Sequence, residues 1–364
     1  MKEGNQMAMK TLLKNPLSVL TVQTEKDRWS QLYKVIKEPK PQIDSTPRKL
    51  VWKKNKSSLW YYPAQEKKHD IPIFLVYSLL NKAYILDLSE ETSVVGHFTK
   101  LGYDVYMFDW GSPGLEDKDI TLDNYVVDYL EVAVKRALRH NAAEEISLIG
   151  YCLGGTLAAM LTSITELPIK NLVLAAVPID YTEFVIPKKW IKAIKDGYLS
   201  IDRFSDAYGH IPSEYLQAMF LALQGYNLGP KINLVTRAHD EKYVDKWRKM
   251  DKWMNDPVSF SGAAFKQTIN ELFKDNMLVK GEMKMNGRTV DLKNIKCSLL
   301  IITSTDDALV LESQSRPVMD LVSSEDKTYQ LVEAGHVSVN LSGKFVDTVD
   351  PWLSTRSKQG QEIN

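Results

Sequence analysis

From about residue 71 the chain alternates between short unbroken apolar runs and amphipathic stretches. The runs at 73–77, 104–109, 146–149, 171–177, 298–304 and 329–332 are strand-length and lack polar alternation. The stretches between them at 94–102, 125–139, 153–161 and 311–321 carry apolar residues at helical spacing. Strands that are apolar on both faces and alternate with helices predict a mostly parallel sheet covered on both sides, an α/β architecture. Upstream, Trp29, Leu32, Tyr33 and Ile36 form an i, i+3, i+4, i+7 stripe that predicts a helix over 27–36. Residues 38–47 are proline-rich and polar and read as a linker. Two early strands at 50–52 and 58–62 flank the basic turn 53–56, which reads as a solvated hairpin tip rather than a phosphate site.

The rhythm stops after Pro178 and resumes near Ser298. The intervening residues are rich in Lys, Trp, Tyr and Met and show no convincing buried strand; an insertion of that kind reads as a cap over one end of the sheet. Its tryptophans Trp190, Trp247 and Trp253 are expected in the cap's own core. The division expected is therefore an N-terminal extension over 1–65, a core over 66–180 and 286–356, a cap over 181–285, and a polar tail over 357–364.

Composition narrows the function classes. Lys+Arg and Asp+Glu each number 46, so net charge gives no bulk attraction to nucleic acid or to an acidic membrane, and self-association is expected. No apolar run approaches the roughly 18–20 residues of a membrane-spanning helix, and residues 1–15 are too polar for a secretory signal. Two cysteines, Cys152 and Cys297, make no disulfide framework and no zinc spacing. The expectation is a reduced, cytoplasmic protein that needs no metal or cofactor.

Cys152 carries the candidate chemistry. It sits in Gly150-Tyr151-Cys152-Leu153-Gly154-Gly155, after an apolar run and before a helix. A nucleophile on a sharp strand-to-helix turn needs small residues two positions to either side, and here sulfur takes the usual serine position. Without partners, Cys152 would equally suit a small buried hydrophobe. The partners are available at later strand ends: Asp306-Asp307 after the run 298–304, and His336 after 329–332. The order nucleophile, acid, histidine is that of α/β-hydrolase folds. His69, His140, His210 and His239 read as surface residues, and His97 as a structural helix residue. Spacing does not choose between Asp306 and Asp307. An oxyanion would need two backbone N–H groups, expected from Leu153 and from the loop after 73–77 near Ser78 and Leu79.

Several strings together resemble the polyhydroxyalkanoate synthases, α/β-hydrolase-fold acyltransferases with cysteine at the elbow. They are Leu79-Leu80-Asn81-Lys82 with Tyr84-Ile85-Leu86-Asp87-Leu88, then Asp109-Trp110-Gly111, the Cys152 elbow, and Gly335-His336. The likeness covers about residues 45–355, and the short N-terminal region resembles the two-subunit type. The resemblance implies Cys152 as acyl carrier, His336 as general base and Asp307 as the aspartate; the family's usual histidine after that aspartate is replaced by Ala308. It further implies (R)-3-hydroxyacyl-CoA, with 3-hydroxybutyryl-CoA the first choice, as substrate, CoA as product, a growing polyester, a second helical subunit and association with polyester granules. The competing expectations are a thiol-dependent esterase or thioesterase, a small-molecule acyltransferase, and a non-enzymatic granule-surface protein.

Overall fold

The structure, a computed structural model, describes residues 22–43, 46–183, 189, 192–193, 196–198, 200–224 and 229–357. The expectations for residues 1–15, for Trp190 and for nearly all of the 357–364 tail lie outside the described residues.

The core is an eight-stranded sheet. In chain order its strands are β1 (Lys49–Lys54), β2 (Ser57–Tyr62), β3 (Ile73–Val76), β4 (Val105–Asp109), β5 (Ile146–Tyr151), β6 (Ile169–Ala175), β7 (Ser298–Ser304) and β8 (Lys327–Val332). They lie in the order β1-β2-β4-β3-β5-β6-β7-β8. From β4 to β8 every pairing is parallel, while β2 runs antiparallel to both neighbours. The central strands β3, β5 and β6 are buried almost throughout, which is why their sequences lack polar alternation. This is the parallel α/β sheet expected from the chain's rhythm, in the α/β-hydrolase form that the order of Cys152, Asp307 and His336 and the family resemblance implied.

The helices differ from their expected form in two places. The segment 125–139 starts as a π-helix, Asn124–Glu131, and continues as the α-helix Val132–Asn141. The stretch 311–321 breaks into Glu312–Ser315 and Val318–Leu321, with Pro317 between them lacking the N–H that a continuous helix would use. Helix Val94–Leu101 is capped at both ends, by the Ser93 hydroxyl on the Gly96 N–H and by Gly102 at φ 97°. Asp87, wholly buried, accepts hydrogen bonds from Ser93 and Thr46 and so ties the 3-10 turn Ala83–Asp87 to that cap.

Two surface readings are corrected, and one predicted helix is found with most of its stripe uncovered. The turn after β1 is not simply solvated: Lys56 pairs with Asp117 at 2.7 Å and with Glu116, and Asn55 donates to Asp117 at 2.6 Å. His69 is buried and stacks on Tyr103 at 3.7 Å. Helix Val22–Lys37 exists, but its stripe is split. Leu32 and Val35 pack with Leu234, Ala238, Val244 and Trp247, while Trp29, Tyr33 and Ile36 are exposed by 68%, 64% and 77%. An aromatic stripe at helical spacing locates a helix without fixing which side is covered.

By internal contacts, residues up to 43 group with 224–255, and the remainder forms the larger unit that holds the sheet. In that larger unit the insertion leaves and rejoins the core at one point. The Asn276 side chain accepts the Tyr181 N–H at 3.0 Å and donates to Asp180 at 2.9 Å. No described helix is long and apolar enough to cross a membrane.

Candidate active site

Strand β5 ends at Tyr151, helix Leu153–Ile164 begins one residue later, and Cys152 makes the whole reversal. Its φ of 53° is a conformation that a residue with a side chain rarely adopts, the strain expected of a nucleophile elbow. The flanking glycines are required by close approach. A Cβ on Gly150 would lie 2.5 Å from the Gly155 Cα, and one on Gly154 would lie 2.4 Å from the Tyr77 carbonyl oxygen. Both obstacles are backbone and cannot swing aside. Gly154→Ala is therefore expected to lose about 3 kcal/mol or more of stability by overpacking. Gly281→Ala, where φ is +66° but nothing lies within 4 Å, should cost about 1 kcal/mol. Chemical denaturation of the two variants checks the contrast; equal losses would refute the close-packing argument.

The structure brings Cys152, His336 and Asp307 together. His336 lines the same cavity as Cys152 and feels its charge on one side. Its Nδ1 meets Asp307 Oδ2 at 2.7 Å on the other, the two side chains being 10% and 2% exposed. The remaining oxygen of Asp307 accepts the N–H groups of Leu309 and Val310 at 2.9 and 2.8 Å, which fixes the carboxylate. Asp306 is exposed and its backbone N–H bonds the Ala334 carbonyl, so the choice that spacing left open is made by direction along the loop. The other histidines lie outside this cluster; His140, for one, bonds the Tyr106 hydroxyl.

Electrostatics favour a protonated His336. Burial alone would lower the pKa of His336, but the charge on Cys152 and the contact with Asp307 outweigh it and raise the value to about 10. The imidazole that faces the sulfur is thereby held protonated through neutral pH. Cys297 contrasts with this, because burial pushes its thiol up to about 12. Burial also keeps Tyr77 and Tyr151 neutral, and the charge of Cys152 reinforces the effect. Tyr151 supports the site from below: its ring lies 5.5 Å from that of His336 and its hydroxyl donates to the His336 carbonyl.

Cys152 is partly accessible and opens onto a cavity of about 140 Å³. The walls are largely apolar, with Leu216, Phe260, Phe265, Ile269 and Phe273 opposite Cys152 and His336. Of the residues expected at an oxyanion site, Leu153 lines this cavity and follows Cys152 at the helix N-terminus. The Leu79 side chain is instead buried in the core, and the cavity is lined by its neighbours Ser78 and Leu80. Among the described residues no group of three or more His, Cys, Asp or Glu could hold a metal ion.

Comparison with known proteins identifies the family and the fold. The α/β hydrolase fold family model matches residues 72–339. A model described as the N-terminus of poly-beta-hydroxybutyrate polymerase (PhaC) matches residues 11–98. The chain is 32% identical to the poly(3-hydroxyalkanoate) polymerase subunit PhaC of Haloferax mediterranei, over 88% of this chain, and it spans only 66% of that relative's length. It is 31% identical to the subunit of the same name from Allochromatium vinosum, over 85% of this chain and 89% of that one. Among solved structures it is similar in fold to epoxide hydrolase A from Mycobacterium thermoresistibile, at TM-score 0.55 and 12% identity, covering 86% of this chain and 100% of that one.

Proposed function

The chain belongs to the family of poly(3-hydroxyalkanoate) polymerases, acyltransferases built on the α/β-hydrolase fold, and from that premise we propose that it polymerises (R)-3-hydroxyacyl-CoA through a thioester on Cys152. The observation that carries the reading is the Cys152–His336–Asp307 chain of contacts at the mouth of an apolar cavity. Cys152 sulfur attacks the thioester carbonyl, CoA leaves as a thiolate, and His336 supplies its proton. The exchange trades one thioester for another and so preserves the activation needed for the next transfer. The 3-hydroxyl of an incoming unit, itself still a CoA thioester, then gives its proton to His336 and attacks the bound acyl group. The acyl–sulfur bond breaks, Cys152 leaves as thiolate, and the chain, longer by one ester, returns from CoA to Cys152 by the same thioester exchange. Asp307 holds the imidazole in register throughout.

The size of the cavity supports a short acyl unit, 3-hydroxybutyryl being the first choice, because about 140 Å³ is comparable to a cavity that holds benzene. Its apolar walls would keep water from a thioester whose hydrolysis would end the chain. The relatives are named as subunits, which supports a second, helical subunit as partner, and the insoluble product supports a place at polyester granules. The test is CoA release from (R)-3-hydroxybutyryl-CoA, with and without that second subunit. CoA released should match the monomer recovered from insoluble polymer. Free 3-hydroxybutyrate as the main product would instead mark a hydrolase.

A further inference from the structure

Ser78 has a position that the mechanism above does not use. It is buried, 2% exposed, yet lines the same cavity as Cys152 and His336. Its Oγ accepts the Leu80 N–H at 3.2 Å, and its own proton has no acceptor among the described residues. The residue before it is pinned from two sides. The Trp110 indole N–H donates to the Tyr77 carbonyl at 2.9 Å, and Gly154 packs against that same carbonyl. Residue 77 therefore rests on the first turn of the elbow helix, which puts Ser78 beside the Cys152–Leu153 step.

We propose that the Ser78 hydroxyl is a catalytic donor to the oxyanion, acting with the Leu153 N–H. The proposal rests on Cys152 being the acyl carrier. As the C–S bond to Cys152 forms, the carbonyl π pair moves onto oxygen. Ser78 hydrogen-bonds that oxygen and keeps its proton. Collapse restores the C=O and breaks the bond to CoA sulfur, which leaves with the proton held by His336. A hydroxyl that already accepts a backbone N–H is polarised toward donation, and its placement needs no rearrangement during the reaction. Trp110 is then a positioning residue, which gives the Asp109-Trp110-Gly111 string a function: it holds the carbonyl of residue 77 away from the oxyanion.

Ser78→Ala and Ser78→Thr in the full chain, with its second subunit where activity requires one, test this. Ser78→Ala should lower kcat for (R)-3-hydroxybutyryl-CoA about 10²-fold, the usual effect of losing one oxyanion donor, with KM little changed. Its affinity for a trifluoromethyl ketone, which adds to the thiol and creates an oxyanion, should fall by the same factor. Iodoacetamide alkylation of Cys152 should keep its wild-type rate, and Ser78→Thr should recover most of the activity. A Ser78→Ala variant with wild-type kcat overturns the proposal, and so does a loss of kcat with unchanged ketone affinity. Failure of the Cys152 reading would show separately, as wild-type protein that still releases CoA after Cys152 is alkylated.

Discussion

Cys152→Ala is expected to abolish CoA release and polymer formation, a loss of about 10⁴-fold or more, because among the described residues Cys152 is the one thiol lining the cavity with His336. The assay is CoA release under saturating substrate, with thermal unfolding to show that the fold survives. The fold should survive, since the strain at residue 152 is borne by backbone that alanine shares. Cys152→Ser keeps the shape but not the easily ionised atom. It is expected to retain a small fraction of activity, since His336 is tuned by a charge that serine does not readily carry. The other thiol is the control. Cys297→Ala removes a partly buried thiol with its pKa pushed up to about 12, and activity should stay within about twofold of wild type. Comparable losses from both cysteines would mean that Cys152 is structural.

His336→Gln is the second large effect, a fall in kcat of about 10³-fold, within the range for general acid–base catalysis. The imidazole serves twice in the cycle, first as acid toward CoA sulfur and then as base toward the incoming hydroxyl. Neither role can pass to glutamine. Iodoacetamide alkylation of Cys152 at pH 7 should slow markedly in this variant, because the cation that faces the sulfur is gone. The pH profile carries a sign of its own. His336 has a raised pKa, so its proton is present through neutral pH and is lost as pH rises through about 10. CoA release by the wild type should therefore hold through neutral pH and decline toward that value. A decline beginning near pH 6.5, the ordinary histidine value, would contradict the paired arrangement. Asp306→Asn, on the exposed neighbour, should leave all of this unchanged within about twofold.

How much of this was legible in the sequence depends on how local the constraint is. The elbow was legible because two glycines around Cys152 answer a steric demand within five residues, and the structure shows the clashes they avoid. The position of His336 was legible because chain order in this fold puts a strand end there. The aspartate was not, since two adjacent residues at one strand end differ only in the direction the loop gives them. The second oxyanion donor met the same difficulty. Spacing could name the loop near Ser78 and Leu79, but in an irregular segment which of the consecutive residues faces the cavity depends on distant contacts. Here those are the Trp110 indole and Gly154. His69 was misread for a related reason: polar sequence neighbours do not reveal Tyr103, which folds over it from 34 positions away in the chain. The exposure of three of the four residues in the Trp29–Ile36 stripe likewise shows that periodicity reports helix geometry before it reports what covers the helix.

The knot at Asn276 has a consequence for how such chains can vary. Two ends of an excursion, 95 positions apart, are fastened to each other by one amide side chain. Chain added or removed between them alters neither the distance between those ends nor the register of β6 against β7. Lengthening a closed excursion costs little in entropy, about 0.6 kcal/mol for each doubling. The segment is thus an exchangeable cassette on a fixed frame. Cys152, Asp307 and His336 belong to the frame, whereas Leu216, Phe260, Phe265 and Ile269 of the cavity wall belong to the cassette. Lineages could diverge in the acyl units they accept by editing the cassette, with Cys152, Asp307 and His336 left where they are.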